Sequence, residues 1–345
     1  MHKLILAVAA AALVAISASA RAQDSVESFY KGRQLKLDIG STPGGAFDGY
    51  GRLVGQYIGK YIPGNPTVLP NNMPGAGDHR LNGYLYSVAP KDGSEFAITF
   101  PGALLDPLVG TKKFDEDPSK FTYLGSANID TFVCLLRADA PIKTFEEALK
   151  TPATLAASAD GGSTVDLPAI EINLLGAKWQ IVRGYPGSRE INLAIEQGEV
   201  NGTCGMGWSS IQLQNPDWAT NGKYRLLAQE TTRGHATLNA MNVPLTYGFA
   251  KTDAQRAVMQ LVYSQELFGR PFIMPPGVPP ERVAAMRKAF MAALKDPDLL
   301  ADAKKQRLEI NPLSGDEVQQ LVTKVYSMPP DIVAKTKEAL TYKGK

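Results

Sequence analysis

The stretch Leu35 to Ile58, LKLDIGSTPGGAFDGYGRLVGQYI, decides the reading of this chain. A short apolar strand, Leu35 to Ile39, runs into a turn of Ser, Thr and Gly and then directly into an amphipathic helix. Small residues at Ser41, Thr42, Gly44 and Gly45 let backbone amides approach a ligand closely, and the unpaired amides of the following helix add a partial positive charge. Such a turn cradles an anion. No lysine follows at P-loop spacing and no G-x-G-x-x-G opens the helix, so a carboxylate is expected rather than a nucleotide phosphate. Asp48 is placed to cap that helix. Leu53, Val54, Tyr57, Ile58 and Tyr61 form its core stripe, and Gly51, Gly55 and Gly59 allow close packing on a sheet.

Working outward, strand-like and helical runs alternate along the whole chain, which implies α/β architecture with mostly parallel sheets flanked by helices. A second series starts near Phe132 and brings two more helix-start signals, GGSTVD at Gly161 to Asp166 and YPGSRE at Tyr185 to Glu190. Ser163, Thr164 and Ser188 there can serve either as helix caps or as ligand contacts. The final third, from Phe268 onward, reads as a strand, a proline-fixed turn and a long helix that rejoins the first series.

The N-terminus has the order of a secretory signal: His2 and Lys3, an apolar run from Leu4 to Ile16, then Ala20-Arg21-Ala22. The run is shorter than the roughly 20 residues a membrane span needs, so residues 1–22 are read as a signal removed on export. Of 36 Lys and Arg residues, losing Lys3 and Arg21 leaves 34 against 34 acidic ones, a balance unsuited to nucleic-acid binding. Cys134 and Cys204 sit in apolar, strand-like contexts, which favours buried thiols over a disulfide. His79 and His235 have no Cys or second His at metal-ligand spacing, so no metal or cofactor is expected. No G-x-S-x-G elbow appears, and a Ser-His-Asp triad would have to recruit one of those two histidines, so no catalytic residue is assigned.

Several segments together resemble the solute-binding proteins of tripartite tricarboxylate transporters, the Bug-type receptors. Pro43-Gly44-Gly45-Ala46-Phe47-Asp48 is similar to the family's P-G-G-x-x-D turn and Asn72-Met73-Pro74-Gly75-Ala76-Gly77 to its N-x-P-G-A-G signature. Ala89 to Gly93, Pro141 to Thr144, Tyr185-Pro186-Gly187, Gly198 to Asn201 and Met274 to Pro279 resemble further family turns. The resemblance covers nearly all of the chain beyond the signal. It implies a type II periplasmic-binding-protein-like fold: residues 23–125 with 242–345 as one domain, 126–241 as the other, and crossings near 123–132 and 226–245.

It also implies a ligand cleft between the domains. Ser41 to Asp48, with Ala46 and Phe47, would hold one carboxylate, and Ser163 with Thr164 a second polar group, neither needing an arginine. Phe100, Pro101, Gly102 and Ala103, on the loop after the Glu95 to Thr99 strand, would line one wall, and Tyr185, Ser188 and Arg189 the other. Where relatives with amino-acid ligands place an aspartate for the ammonium, this chain has Gly205, which disfavours an ammonium-bearing ligand. The expected role is a monomeric periplasmic receptor that passes a small mono- or dicarboxylate, aliphatic or aromatic, to a membrane permease. The alternatives are a periplasmic hydrolase or transferase using His79 or His235, and a sensor feeding a membrane histidine kinase.

Overall fold

The computed structural model describes residues 26–110 and 112–341. The secretory-signal reading lies outside those residues. Two sheets organise the chain. The first has six strands in the order β11-β4-β10-β3-β1-β2, comprising β1 (Gln34–Ile39), β2 (Thr67–Asn72), β3 (Glu95–Ile98), β4 (Thr122–Ser126), β10 (Pro271–Met274) and β11 (Leu313–Ser314). The second has five in the order β7-β6-β8-β5-β9: β5 (Phe132–Arg137), β6 (Ala153–Ala156), β7 (Trp179–Val182), β8 (Gly202–Gly207) and β9 (Tyr224–Glu230).

Both sheets are mixed rather than mostly parallel. β1 pairs parallel with β2 and β3, and β6 with β7 and β8, as βαβ crossovers dictate. The strands next to the two chain crossings run the other way: β10 is antiparallel to β3 and β4, and β5 is antiparallel to β8 and β9. The chain leaves the first sheet after β4 and re-enters it at β10, so β10 returns against the direction of the strands it joins. Reading each strand by its own pattern does not show that reversal.

Apolar side chains fill both faces of each sheet. Leu35, Leu37 and Ile39 of β1 meet Tyr50, Leu53, Val54 and Ile58 of helix α1 (Ala46–Ile58) in one layer, where a Cβ on Gly51 would come within 2.8 Å of Ile39. That close approach is why glycine recurs on this helix face. The opposite face packs Leu81, Leu104, Leu105 and Ile273. The helix Pro280–Ala293 covers β4 and contacts α1, so the final third does rejoin the first sheet.

Cys134 and Cys204 are joined as a disulfide, correcting the expectation of buried thiols. They stand on adjacent antiparallel strands at a register shift between Val133 and Leu135, which sets the two side chains against each other.

Candidate functional site

Five helices begin at one cavity between the two sheets. They are α1, α2 (Pro101–Val109), α3 (Ser163–Ile170), α4 (Ser188–Gln197) and α5 (Trp208–Gln214). Their N-caps, Gly45, Phe100, Gly162, Gly187 and Gly207, all line the cavity wall. None caps its helix with a side chain, and four of the five are glycines that carry no side-chain oxygen. Helix N-termini expose amides without intrahelical partners and a positive dipole end. Converging them on a cavity of about 60 Å³ gives an arrangement that can attract a small anion.

The hydroxyls of this wall are spent on shaping it rather than on capping. Ser163 Oγ donates to the Gly205 carbonyl at 2.8 Å, Thr164 Oγ1 accepts from the Ser158 N–H at 2.9 Å, and Ser188 Oγ accepts from Gln214 Nε2 at 2.6 Å. Ser41 Oγ is different: it is buried in the wall and has no hydrogen-bond partner among the described residues. A buried hydroxyl left unpaired is costly unless something else fills the gap.

The structure brings together Ser41, Thr42, Gly45, Ala46, Phe47, Phe100, Pro101, Gly102, Ser163, Thr164, Ser188 and Gly205 on this wall. Phe47 and Phe100 meet edge to face with ring centroids 4.5 Å apart, giving the cavity an apolar flank. Pro101 to Ala103 open a helix rather than lie on a loop.

Five expected site residues stand elsewhere. Asp48 is the third residue of α1 and not its cap. Its carboxylate accepts from the Gly44 N–H at 2.9 Å, from Arg52 and from Asn72. Burial pushes that carboxyl up, but those bonds outweigh it and hold the group below its ordinary value. Gly44 therefore serves the turn, at φ +85°, and lies with Arg189 on a groove outside the cavity. Arg189 is exposed, since the first turn of α4 carries Ser188 inward and the next residue outward. Ala103 is fully buried in the core beneath the turn. Tyr185 lines a neighbouring cavity with Gly75 and Asp78, and its hydroxyl lies 3.4 Å from Glu199.

Sequence reading missed Phe132, Ser158, Ile191, Met206, Ser210 and Arg270 on the cavity wall. A cation directly before the apolar strand PFIM was the available signal for Arg270.

Gly205 does more than leave an aspartate out. Its φ is +76°, and a Cβ there would lie 2.1 Å from the Ser163 carbonyl oxygen, so no side chain fits. Its N–H donates to Glu230 at 2.5 Å. Burial pushes the Glu230 carboxyl up to about 8 despite that bond.

Neither histidine faces the cavity. His79 is held between Asp106 at 2.9 Å and Glu116 at 2.7 Å and stacks on Phe114, while His235 bonds Glu309 at 3.3 Å. Among the described residues the cavity wall holds hydroxyls but no histidine to activate one.

Side chains from the loops and helices around the two sheets meet near the cavity. Lys112 pairs with Asp160 at 3.1 Å, Gln265 donates to Asp166 at 3.0 Å, and Thr42 lies 3.4 Å from Glu190. These contacts describe a closed cleft.

A two-lobed α/β protein closed on an anion-sized cavity is the class that fold and site define. Several solved structures resemble it in fold. MatC from Rhodopseudomonas palustris, with bound malate, matches with a TM-score of 0.70 at 18% identity, covering 87% of this chain and 99% of that one. The periplasmic binding protein BugD matches with a TM-score of 0.69 at 18% identity over 90% and 98% of the two chains. An R. palustris protein solved with adipate matches with a TM-score of 0.67 at 19% identity over 89% and 97%. Among curated proteins, a UPF0065 protein from the gbd 5′ region of Cupriavidus necator is 24% identical over 336 residues, 94% of each chain. No family model matches. The fold is that of the MatC- and BugD-type solute-binding proteins, in agreement with the Bug-type resemblance carried by the motifs.

Proposed function

We propose that the chain is a periplasmic receptor that closes on a small organic carboxylate and delivers it to the permease of a tripartite tricarboxylate-type transporter. The observation that carries this reading is the convergence of five uncapped helix N-termini on one cavity. Ser41, buried in the same wall with its hydroxyl unpartnered, supports it. The malate and adipate bound in two of the similar structures are carboxylates of this kind.

Residues 23–125 with 242–345 form one lobe in this reading and 126–241 the other, the chain crossing near 123–132 and 226–245. Groups from both lobes must hold the same ligand, because only differential contacts shift the balance toward closure. Ser41 to Phe47 belong to the first lobe, and Ser163, Thr164 and Ser188 to the second.

A thermal-shift screen of residues 23–345 against malate, succinate, citrate, adipate, benzoate and glutamate tests the proposal. A ligand at 100 times its dissociation constant stabilises by about 2.7 kcal/mol, so one carboxylate class is expected to raise the melting temperature clearly. Glutamate is expected to have no effect, since Gly205 leaves no partner for its ammonium. No shift with any of the carboxylates would count against the proposal.

A further inference from the structure

We propose that Arg270 is the residue that reads the ligand's charge, binding a carboxylate of a short-chain acid at the floor of the cavity. The inference rests on the cleft being the carboxylate site and assigns the group that makes it specific for acids. Among the described residues of the cavity wall Arg270 is the one with a charged side chain, and it is 2% exposed. It stands immediately before β10, where the chain returns to the first sheet.

Its surroundings hold the guanidinium in place without using it up. On one edge Nη2 donates to Asp130 and to the hydroxyls of Ser209 and Ser210. Asp130 is fixed in turn by the Ser209 N–H at 3.1 Å and by the Ser209 hydroxyl at 2.8 Å. Aromatic rings pack against the guanidinium, its carbon 4.2 Å from the Phe47 ring centroid and 5.4 Å from that of Tyr50. Nε has no hydrogen-bond partner among the described residues. A guanidinium offers five donors fixed in one plane, and here the Nε–H, on the edge it shares with Nη2, is left for a ligand oxygen.

A buried donor left unpaired costs stability unless a ligand pairs it, which is the condition for strong selection of an acid over its neutral analogue. Asp130 already balances the guanidinium charge. The ligand carboxylate therefore adds one negative charge to a balanced pair lying among positive helix ends. The small cavity and the rings of Phe47, Phe100 and Phe132 suit a short acid, with its second polar group toward Ser41 and Ser163.

With residues 126–241 as the second lobe, the bonds from Arg270 to Ser209 and Ser210 cross between the lobes, so a ligand on Arg270 sits where the two meet. Losing it would strip Asp130 of its buried partner, so the test is made in a charge-balanced background. Isothermal titration of the parent, Arg270→Lys and the double variant Arg270→Met with Asp130→Asn would use malate, succinate, adipate and benzoate, each beside its neutral amide. The parent is expected to prefer the acid. The double variant is expected to unfold cooperatively, to bind the acid roughly 100-fold more weakly and to lose its preference over the amide, the loss expected of a buried charge-assisted contact. Arg270→Lys, which keeps the charge but not the fork, is expected to weaken binding at least 10-fold, and it serves alone if the double variant does not fold.

Parent-like affinity in Arg270→Lys, or in a folded double variant, overturns the role of Arg270 and leaves the carboxylate receptor standing. A parent that binds none of the acids overturns the carboxylate reading and this inference with it.

Discussion

Gly102 shows how a single residue governs whether the cleft can close. It lies in the first turn of α2, and a Cβ built on it would stand 1.9 Å from the Gly161 carbonyl oxygen, which belongs to the turn before α3 on the other side of the cavity. Alanine suits a helix, so Gly102→Ala is expected to keep both halves folded while wedging them apart. Ligand affinity measured by titration should fall at least tenfold with the melting temperature of the free protein within a few degrees of the parent. Unchanged affinity would show that the contact is not needed for binding. At this scale the sequence is legible where position follows from residue type: the small and hydroxyl residues Ser41, Gly45, Ser163 and Thr164, at or next to helix starts, do line the cavity. Arg189 and Arg270 show the limit. Both are arginines within two residues of a glycine, and only tertiary packing sends one outward and buries the other behind Phe47.

The helices and strands were largely readable because each carries its own period and breakers. α1, α4 and the turn of β1 into α1 follow from glycine placement and apolar spacing, and the observed α1 begins at Ala46, ahead of Asp48. What local pattern could not supply was the pairing direction of β5 and β10 and the meeting of Cys134 with Cys204, since both depend on partners distant along the chain. Between elements, α2 and α3 face each other through Asp106 and Asp166. Burial first, then the charge of Asp106, push the Asp166 carboxyl up to about 8, opposed by the Gln265 bond and by His79, while Asp160 adds to the rise. A carboxyl whose folded value exceeds its unfolded one near 4 holds a proton that the unfolded chain releases, so stability falls as pH climbs between those values. His79 works in the same direction: burial lowers its value, but Asp106 and Glu116 together raise it, so its share also fades as pH rises. The melting temperature is therefore expected to be higher at pH 5.5 than at pH 8. Asp166→Asn should flatten that slope by up to one proton, about 1.4 kcal/mol per pH unit. An identical pH slope in the variant would mean that Asp166 stays ionised across the range.

The whole molecule follows from the two crossings between sheets. They set two α/β bodies side by side, and the helices that begin on each body's inner edge point their amides at the same space. That arrangement gives an anion a reason to draw the halves together, because neither half alone surrounds it. The motifs point to the helix starts at Gly45, Gly162 and Gly187, but not to those of α2 and α5, since neither opens with a cap signal: Phe100 and Gly207 stand at their N-caps. The central claim is closure on a carboxylate, and small-angle X-ray scattering on the ligand-stripped protein tests it most directly. With the carboxylate that raises the melting temperature, the radius of gyration is expected to fall, and the scattering of the liganded protein should match the closed structure. A radius of gyration unchanged by a saturating carboxylate would contradict the account.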